Sequence, residues 1–209
     1  MSDMNIRQAR VNNLIIAVQV LVFAACLLTG SPGEGPVYVR GILYAPLLLK
    51  GKDFYRLVTA VFLHADAGHL FNNMIVQFAG GSILEPRVGH ARYAGIYLLS
   101  GIIGNVVSVA VDFLTGSYGF SLGASGAVFG VLGALIFLIF RAGIRQTVSR
   151  RYRSLLVRTG LMTAWLLYSG WSNPSINQAA HVGGLVCGFL LCAVLMHGRG
   201  SDDLEELLH

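Results

Sequence analysis

From Ser121 to Phe140 the sequence reads SLGASGAVFGVLGALIFLIF, and no residue in it carries a charge. An uncharged apolar run of this length matches the roughly 20 residues that a helix needs to cross a bilayer. The same run opens on a serine set among glycines, Gly123-Ala124-Ser125-Gly126. A serine in that setting suggests a nucleophile, and hydrolysis needs water that a lipid-buried helix excludes. Both readings hold together only if the serine sits at the end of its helix, where a polar cavity admits water from one side of the membrane.

Composition supports the membrane reading. The chain has 209 residues, 55% hydrophobic and only 12% charged, against about 25% charged in soluble domains. The mean hydropathy is +0.65. Glycine is abundant, at 26 residues, as in helix bundles whose backbones approach closely in lipid. The net charge of +5 comes from arginines bunched between apolar runs, so no nucleic-acid partner is expected. Cys26, Cys187 and Cys192 all lie in apolar runs with no metal-type spacing and read as buried free thiols.

Six spans are expected, roughly at 12–30, 67–85, 92–114, 124–141, 157–172 and 176–196. The first follows Arg7 and Arg10 like a signal peptide, but reads as an uncleaved span because others follow it. A cytoplasmic tail 1–11, one membrane domain 12–196 and a cytoplasmic tail 197–209 complete the chain. Arg7, Arg10, Arg87, Arg92, the arginines between 141 and 158, and Arg199 fall on one side. The positive-inside rule places that side, and both termini, in the cytoplasm. Arg40, Lys50, Lys52 and Arg56 run against the rule in the first outer loop. That loop is apolar in bursts too short to span. With Tyr38, Tyr44 and Tyr55 it reads as short helices lying partly in the outer leaflet.

Polar residues within the spans converge on one depth. His69 and Asn73 are four apart and share a helix face. Ser125 opens the fourth span, and His181 lies near the start of the sixth. His69 stands 18 residues before Arg87, Ser125 stands 16 before Arg141 and His181 stands 18 before Arg199. At about 1.5 Å per residue these are drops of roughly 24–27 Å, which places all three just inside the outer boundary of a core about 30 Å thick. Gly126 and Gly130 in the fourth span, and Gly184 and Gly188 in the sixth, form small-xxx-small patterns that pack helices closely. Packing of these two spans would bring Ser125 and His181 within hydrogen-bond reach. Taken singly, Ser125 is also explained as a helix N-cap, His181 as an interhelical hydrogen-bonder, and His69 with Asn73 as interfacial polar residues. His64 lies one loop outward in a supporting position.

The segments HADAGHLFNNM (64–74), GASGAVFG (123–130) and AHVGGLVCG (180–188), in this order, resemble the rhomboid family of intramembrane serine proteases. Glu85-Pro86-Arg87-Val88-Gly89 is also similar to the turn that follows the family's second span. The first outer loop carries Tyr55-Arg56 where rhomboids often have Trp-Arg. The resemblance covers about residues 12–196 and implies an all-α membrane protein, a six-transmembrane-helix bundle with an interfacial first outer loop. It implies a dyad with Ser125 as nucleophile and His181 as base. It implies an oxyanion hole from His69, Asn73 and the Ser125 backbone N–H at the Gly123 segment. Substrates would be transmembrane proteins cut in or beside a spanning segment, with no cofactor and no metal. The expected location is a bacterial inner membrane.

No carboxylate has a motif link to His181; Asp66 and Asp112 are the nearest candidates by side of the membrane. Span five, with Trp165 and Trp171, and the loop before span six are expected as moving parts at the substrate's lateral approach. Two rivals stand beside the protease: a catalytically inactive rhomboid-like binder of transmembrane clients, and a small transporter using the polar layer. Intact Ser125 and His181 disfavour the first. The absence of charges deep in the spans disfavours the second.

Overall fold

The computed structural model describes residues 9–30, 34–144, 150–171 and 176–197. The expected cytoplasmic tails, including Arg7 and Arg199, lie almost wholly outside the described residues, as do Arg145 and positions 173–175. Among the described residues six long helices form the bundle: α1 (Arg10–Thr29), α5 (Ala67–Val88), α6 (His90–Thr115), α7 (Ser125–Ile144), α8 (Arg150–Trp171) and α9 (Gln178–Leu195). Between α1 and α5 lie α2 (Pro36–Gly41), α3 (Ala45–Leu49), α4 (Arg56–Thr59) and a 3-10 turn (Ala60–Phe62). Among the described residues α1, α6 and α9 are long and apolar enough to cross a membrane, and α7 carries a shorter apolar stretch, Ser125–Arg141. Helices α5 and α8 are more polar, with two Asn, Gln77, Glu85 and Arg87 on α5 and four arginines on α8.

Helix α7 is the axis of the bundle. It packs chiefly on α9 and also on α6, α5 and α8. Ala127, Val131, Leu132 and Ala134 are almost fully buried, as expected of a helix that is apolar on all faces. The seam between α7 and α9 is made by glycine. A Cβ on Gly184 would collide with the Gly126 carbonyl, and one on Gly188 with the Gly130 carbonyl. The two helices therefore run in the same direction, backbone against backbone, with their N-terminal turns at one end. Gly133 meets the Leu185 carbonyl in the same way.

At the other end of the bundle, Glu85 is completely buried. Its carboxylate accepts the α1 N–H groups of Val11 (2.9 Å) and Asn12 (2.7 Å), which a helix N-terminus leaves without internal partners. His90 Nδ1 meets the same carboxylate. Between α1, α5 and α6, the Tyr97 hydroxyl contacts Gln19 and Gln77, and the Tyr93 hydroxyl donates to Asn12.

Several expectations change. The segment 85–89 is not a free turn: α5 continues to Val88 with Pro86 inside it, and Gly89 alone, at φ +88°, links it to α6. The fifth helix begins at Arg150 rather than 157, so Arg150, Arg151, Arg153 and Arg158 belong to it. Arginine is a good helix former, and a helix does not stop where the apolar stretch does. The outer loop is not wholly helical. Leu43–Tyr44 (β1) pairs antiparallel with Phe120–Ser121 (β2), Leu43 opposite Ser121. Tyr38 does not sit at the surface; it is buried with Cys26, Ile42 and Leu63, where its ring fills the gap between α1 and the loop. Arg56 is the anchor of that loop. Its Nη1 donates to the carbonyls of Val39 (2.9 Å) and Ile42 (2.7 Å), and its Nε pairs with Asp53. Cys26 and Cys192 are buried, Cys187 is half-buried, and all three are free thiols.

Candidate active site

Each polar residue of the predicted layer occupies the first turns of its own helix. Ser125 opens α7. The first intrahelical bond of that helix runs from the Val128 N–H to the Ala124 carbonyl, 2.9 Å. The N–H groups of Ser125, Gly126 and Ala127 thus have no partner within the helix, and they point out of its positive end. His69 is in the first turn of α5, which Asp66 caps by accepting the His69 N–H at 2.8 Å. His181 is in the first turn of α9.

Ser125 and His181 meet. Ser125 Oγ lies 2.8 Å from His181 Nε2, across the glycine seam. The hydroxyl is half-buried and the imidazole is buried. His181 Nδ1 is buried without a hydrogen-bond partner among the described residues, and no carboxylate accompanies the pair there. Among the described residues neither Asp66 nor Asp112 hydrogen-bonds to His181: Asp66 is the α5 cap, and Asp112 lies near the end of α6. The Phe129 ring, one turn along α7, stacks on the imidazole. Residue types and spacing did not single out Phe129, because it reads as one more apolar position in an apolar run.

Gly123 is the point where His69 comes in. Its φ is +126°, a conformation that other residues rarely adopt. A Cβ there would stand 2.9 Å from the His69 ring and 3.7 Å from Ser125 Oγ. The missing side chain lets the imidazole and the hydroxyl approach the same backbone. The Gly123 N–H donates to the Ala60 carbonyl at 2.9 Å, which fixes the strand leading into Ser125. His64 is buried behind His69, edge to face, with ring centroids 5.2 Å apart. Asn73 shares the α5 face with His69, but its Nδ2 donates to the His69 carbonyl at 3.1 Å; among the described residues it has no hydrogen bond to Ser125 or His181. No metal-binding cluster of His, Cys, Asp or Glu occurs among the described residues.

The arrangement supplies a hydroxyl with a proton acceptor, beside a helix N-terminus with free N–H donors. These are the parts of nucleophilic acyl transfer.

A profile of the Rhomboid domain matches residues 51–198. The chain is 34% identical over 149 residues to Rhomboid-like protease 1 of Toxoplasma gondii, covering 71% of this chain and 49% of that protein. It is 31% identical over 185 residues to Rhomboid protease GluP of Bacillus subtilis (strain 168), covering 87% of this chain and 34% of that protein. It is 34% identical over 166 residues to RHOMBOID-like protein 4 of Arabidopsis thaliana, covering 79% and 40%. The chain thus spans between about a third and a half of the length of these relatives.

Proposed function

The chain belongs to the rhomboid family of integral membrane proteins, and from that membership we propose that it is an intramembrane serine endopeptidase. It hydrolyses peptide bonds in or beside transmembrane segments of membrane proteins through a Ser125–His181 dyad. The observation that carries this reading is the 2.8 Å contact between Ser125 Oγ and His181 Nε2, made by two different helices at one end of the bundle. Six spans, α1 and α5 to α9, cross the bilayer, both termini are cytoplasmic, and the dyad lies toward the outer face of a bacterial inner membrane.

The chemistry follows from the geometry. His181 Nε2 takes the Ser125 proton as Oγ attacks the scissile carbonyl, then gives it to the leaving amine. The tetrahedral oxyanion is held by the α7 N-terminal N–H groups, with the Ser125 N–H foremost, and by the His69 ring across Gly123. Asn73 completes the hole by turning its amide from the His69 carbonyl toward the oxyanion. One such donor is typically worth about 10²–10³ in rate. Water then attacks the acyl-enzyme from the outer side, with His181 as base again. A substrate helix hides its peptide bonds in its own hydrogen bonds, so it unwinds locally before cleavage. Helix α8, packed mainly on α7 with Trp165 and Tyr168 exposed, is the most displaceable wall.

The test is cleavage of a labelled single-span substrate by the protein in liposomes. Wild type cleaves, and Ser125→Ala and His181→Ala do not. Equal cleavage by wild type and Ser125→Ala overturns the assignment, as does the failure of wild type to cleave any of a panel of substrates.

A further inference from the structure

We propose that Asn177 is a positioning residue that sets the distance between nucleophile and base. The inference rests on the Ser125–His181 assignment above. Asn177 directly precedes α9, and its Oδ1 accepts the Ala180 N–H at 3.0 Å. A backbone N–H only donates, so this contact fixes which end of the carboxamide is oxygen. The NH₂ group then faces two hydroxyls and gives one hydrogen to each. It donates to Ser108 Oγ on α6 (2.5 Å) and to Ser121 Oγ on β2 (2.8 Å).

One side chain thereby joins three elements. Ser121 lies four residues before Ser125, and His181 lies four residues after Asn177. The His181 N–H donates to the Asn177 carbonyl at 3.3 Å. Ser121, Ser125, His181 and Asn177 close a ring with two links between the 121–125 and 177–181 segments: the dyad bond and the Asn177–Ser121 bond. Among the described residues these are the two polar ties between the 120–125 segment and α9. The opposite side of the segment is held by the pairing of Leu43 with Ser121 and by the Gly123–Ala60 bond. Buried Ser108 gives the bracket a footing on α6. A plain N-cap uses only the oxygen of its side chain; this one also commits both amide hydrogens to parts of the fold that carry the reacting groups. Hydrogen bonds weaken steeply outside their distance window, so a shift of the strand against α9 is felt first at Ser125 and His181.

The experiment separates bracket from cap. Asn177→Ser keeps a good N-cap oxygen but is too short to reach Ser108 and Ser121. In liposomes with the labelled substrate, its kcat falls about tenfold to a hundredfold, the size of effect expected from misplacing reacting groups by about 1 Å. Its KM stays at the wild-type value, and the loss persists when the rate is expressed per folded enzyme, since the two lost hydrogen bonds lower the unfolding midpoint only modestly. Ser121→Ala shows the same loss, Ser121→Thr recovers it by restoring the hydroxyl, and Asn177→Ser with Ser121→Ala is no worse than either alone. Wild-type kcat in Asn177→Ser overturns the proposal, and so does a loss of rate that disappears when the rate is expressed per folded enzyme. Ser125→Ala, run alongside, reads the dyad itself. Cleavage by that variant sinks the dyad, whereas an inactive Ser125→Ala beside a fully active Asn177→Ser sinks the bracket alone.

Discussion

Phe129 lies against the face of His181, with ring centroids 4.4 Å apart and planes 25° from parallel. The imidazole is thus held between an aromatic ring and the Ser125 hydroxyl, while its Nδ1 has no hydrogen-bond partner among the described residues. Where a triad uses a carboxylate to orient the base, the proposed base His181 would be oriented by ring packing instead. Phe129→Leu keeps an apolar filling but removes the flat surface. Stacked aromatic pairs are worth about 0.5–1.5 kcal/mol, so kcat should fall by up to about tenfold. Phe129→Tyr should retain activity. Steady-state cleavage of a membrane substrate by the two variants checks this.

The seam between α7 and α9 predicts a sharp contrast among glycines. Gly184→Ala and Gly188→Ala drive a methyl group into a backbone carbonyl that has no rotamer to escape by. Each should cost about 1–3 kcal/mol of stability and lower activity by spreading the helices. Gly95→Ala on α6 meets nothing within 4 Å and should be neutral or stabilising by up to about 1 kcal/mol. Unfolding in mild detergent ranks the three.

Removing the Glu85 carboxylate leaves the Val11 and Asn12 N–H groups without their acceptor at a buried helix end. Hydrogen bonds to a charged acceptor contribute about 1.5–3 kcal/mol, so Glu85→Ala should lower stability by at least that much. The site lies at the far end of the bundle from Ser125. The fraction that stays folded should therefore turn over at the wild-type kcat, which active-site titration combined with rate measurement will show.

His64 makes stability depend on pH. Burial, reinforced by the nearby His69, lowers its pKa from 6.5 to about 4. Between those values the unfolded chain binds a proton that the folded chain refuses. Stability is therefore full above about pH 6.5 and falls as pH drops toward 4, by about 3 kcal/mol in all. His64→Phe removes the titrating group, so its stability should decline less over the same window. Unfolding midpoints measured from pH 4 to 8 test both the sign and the size.

Much of this architecture can be read from local pattern. Apolar runs set the helices, and counting from the arginines puts His69, Ser125 and His181 at one depth, because helical rise is fixed. What stayed hidden depends on partners far apart in the chain. Phe129 looks like any core residue until α9 is placed beside it. Glu85 looks like part of a turn until the α1 N-terminus arrives 73 residues away in sequence. The β1–β2 ribbon is two residues per strand, too short for an alternating pattern to register. Tyr38 matched an interfacial composition, yet the space beside Cys26 claimed it. The early start of α8 was masked because charge ends an apolar run without ending a helix.

The glycine contacts also restrict how the molecule opens. Where Gly184 meets the Gly126 carbonyl and Gly188 the Gly130 carbonyl there is no side chain to swing aside, and sliding the join would drive carbonyls into neighbouring backbone. The pair forms a fixed spindle, so under the proposed function a guest chain would come in at the periphery, past α8 or the outer loop, leaving Ser125 and His181 in register at the hub.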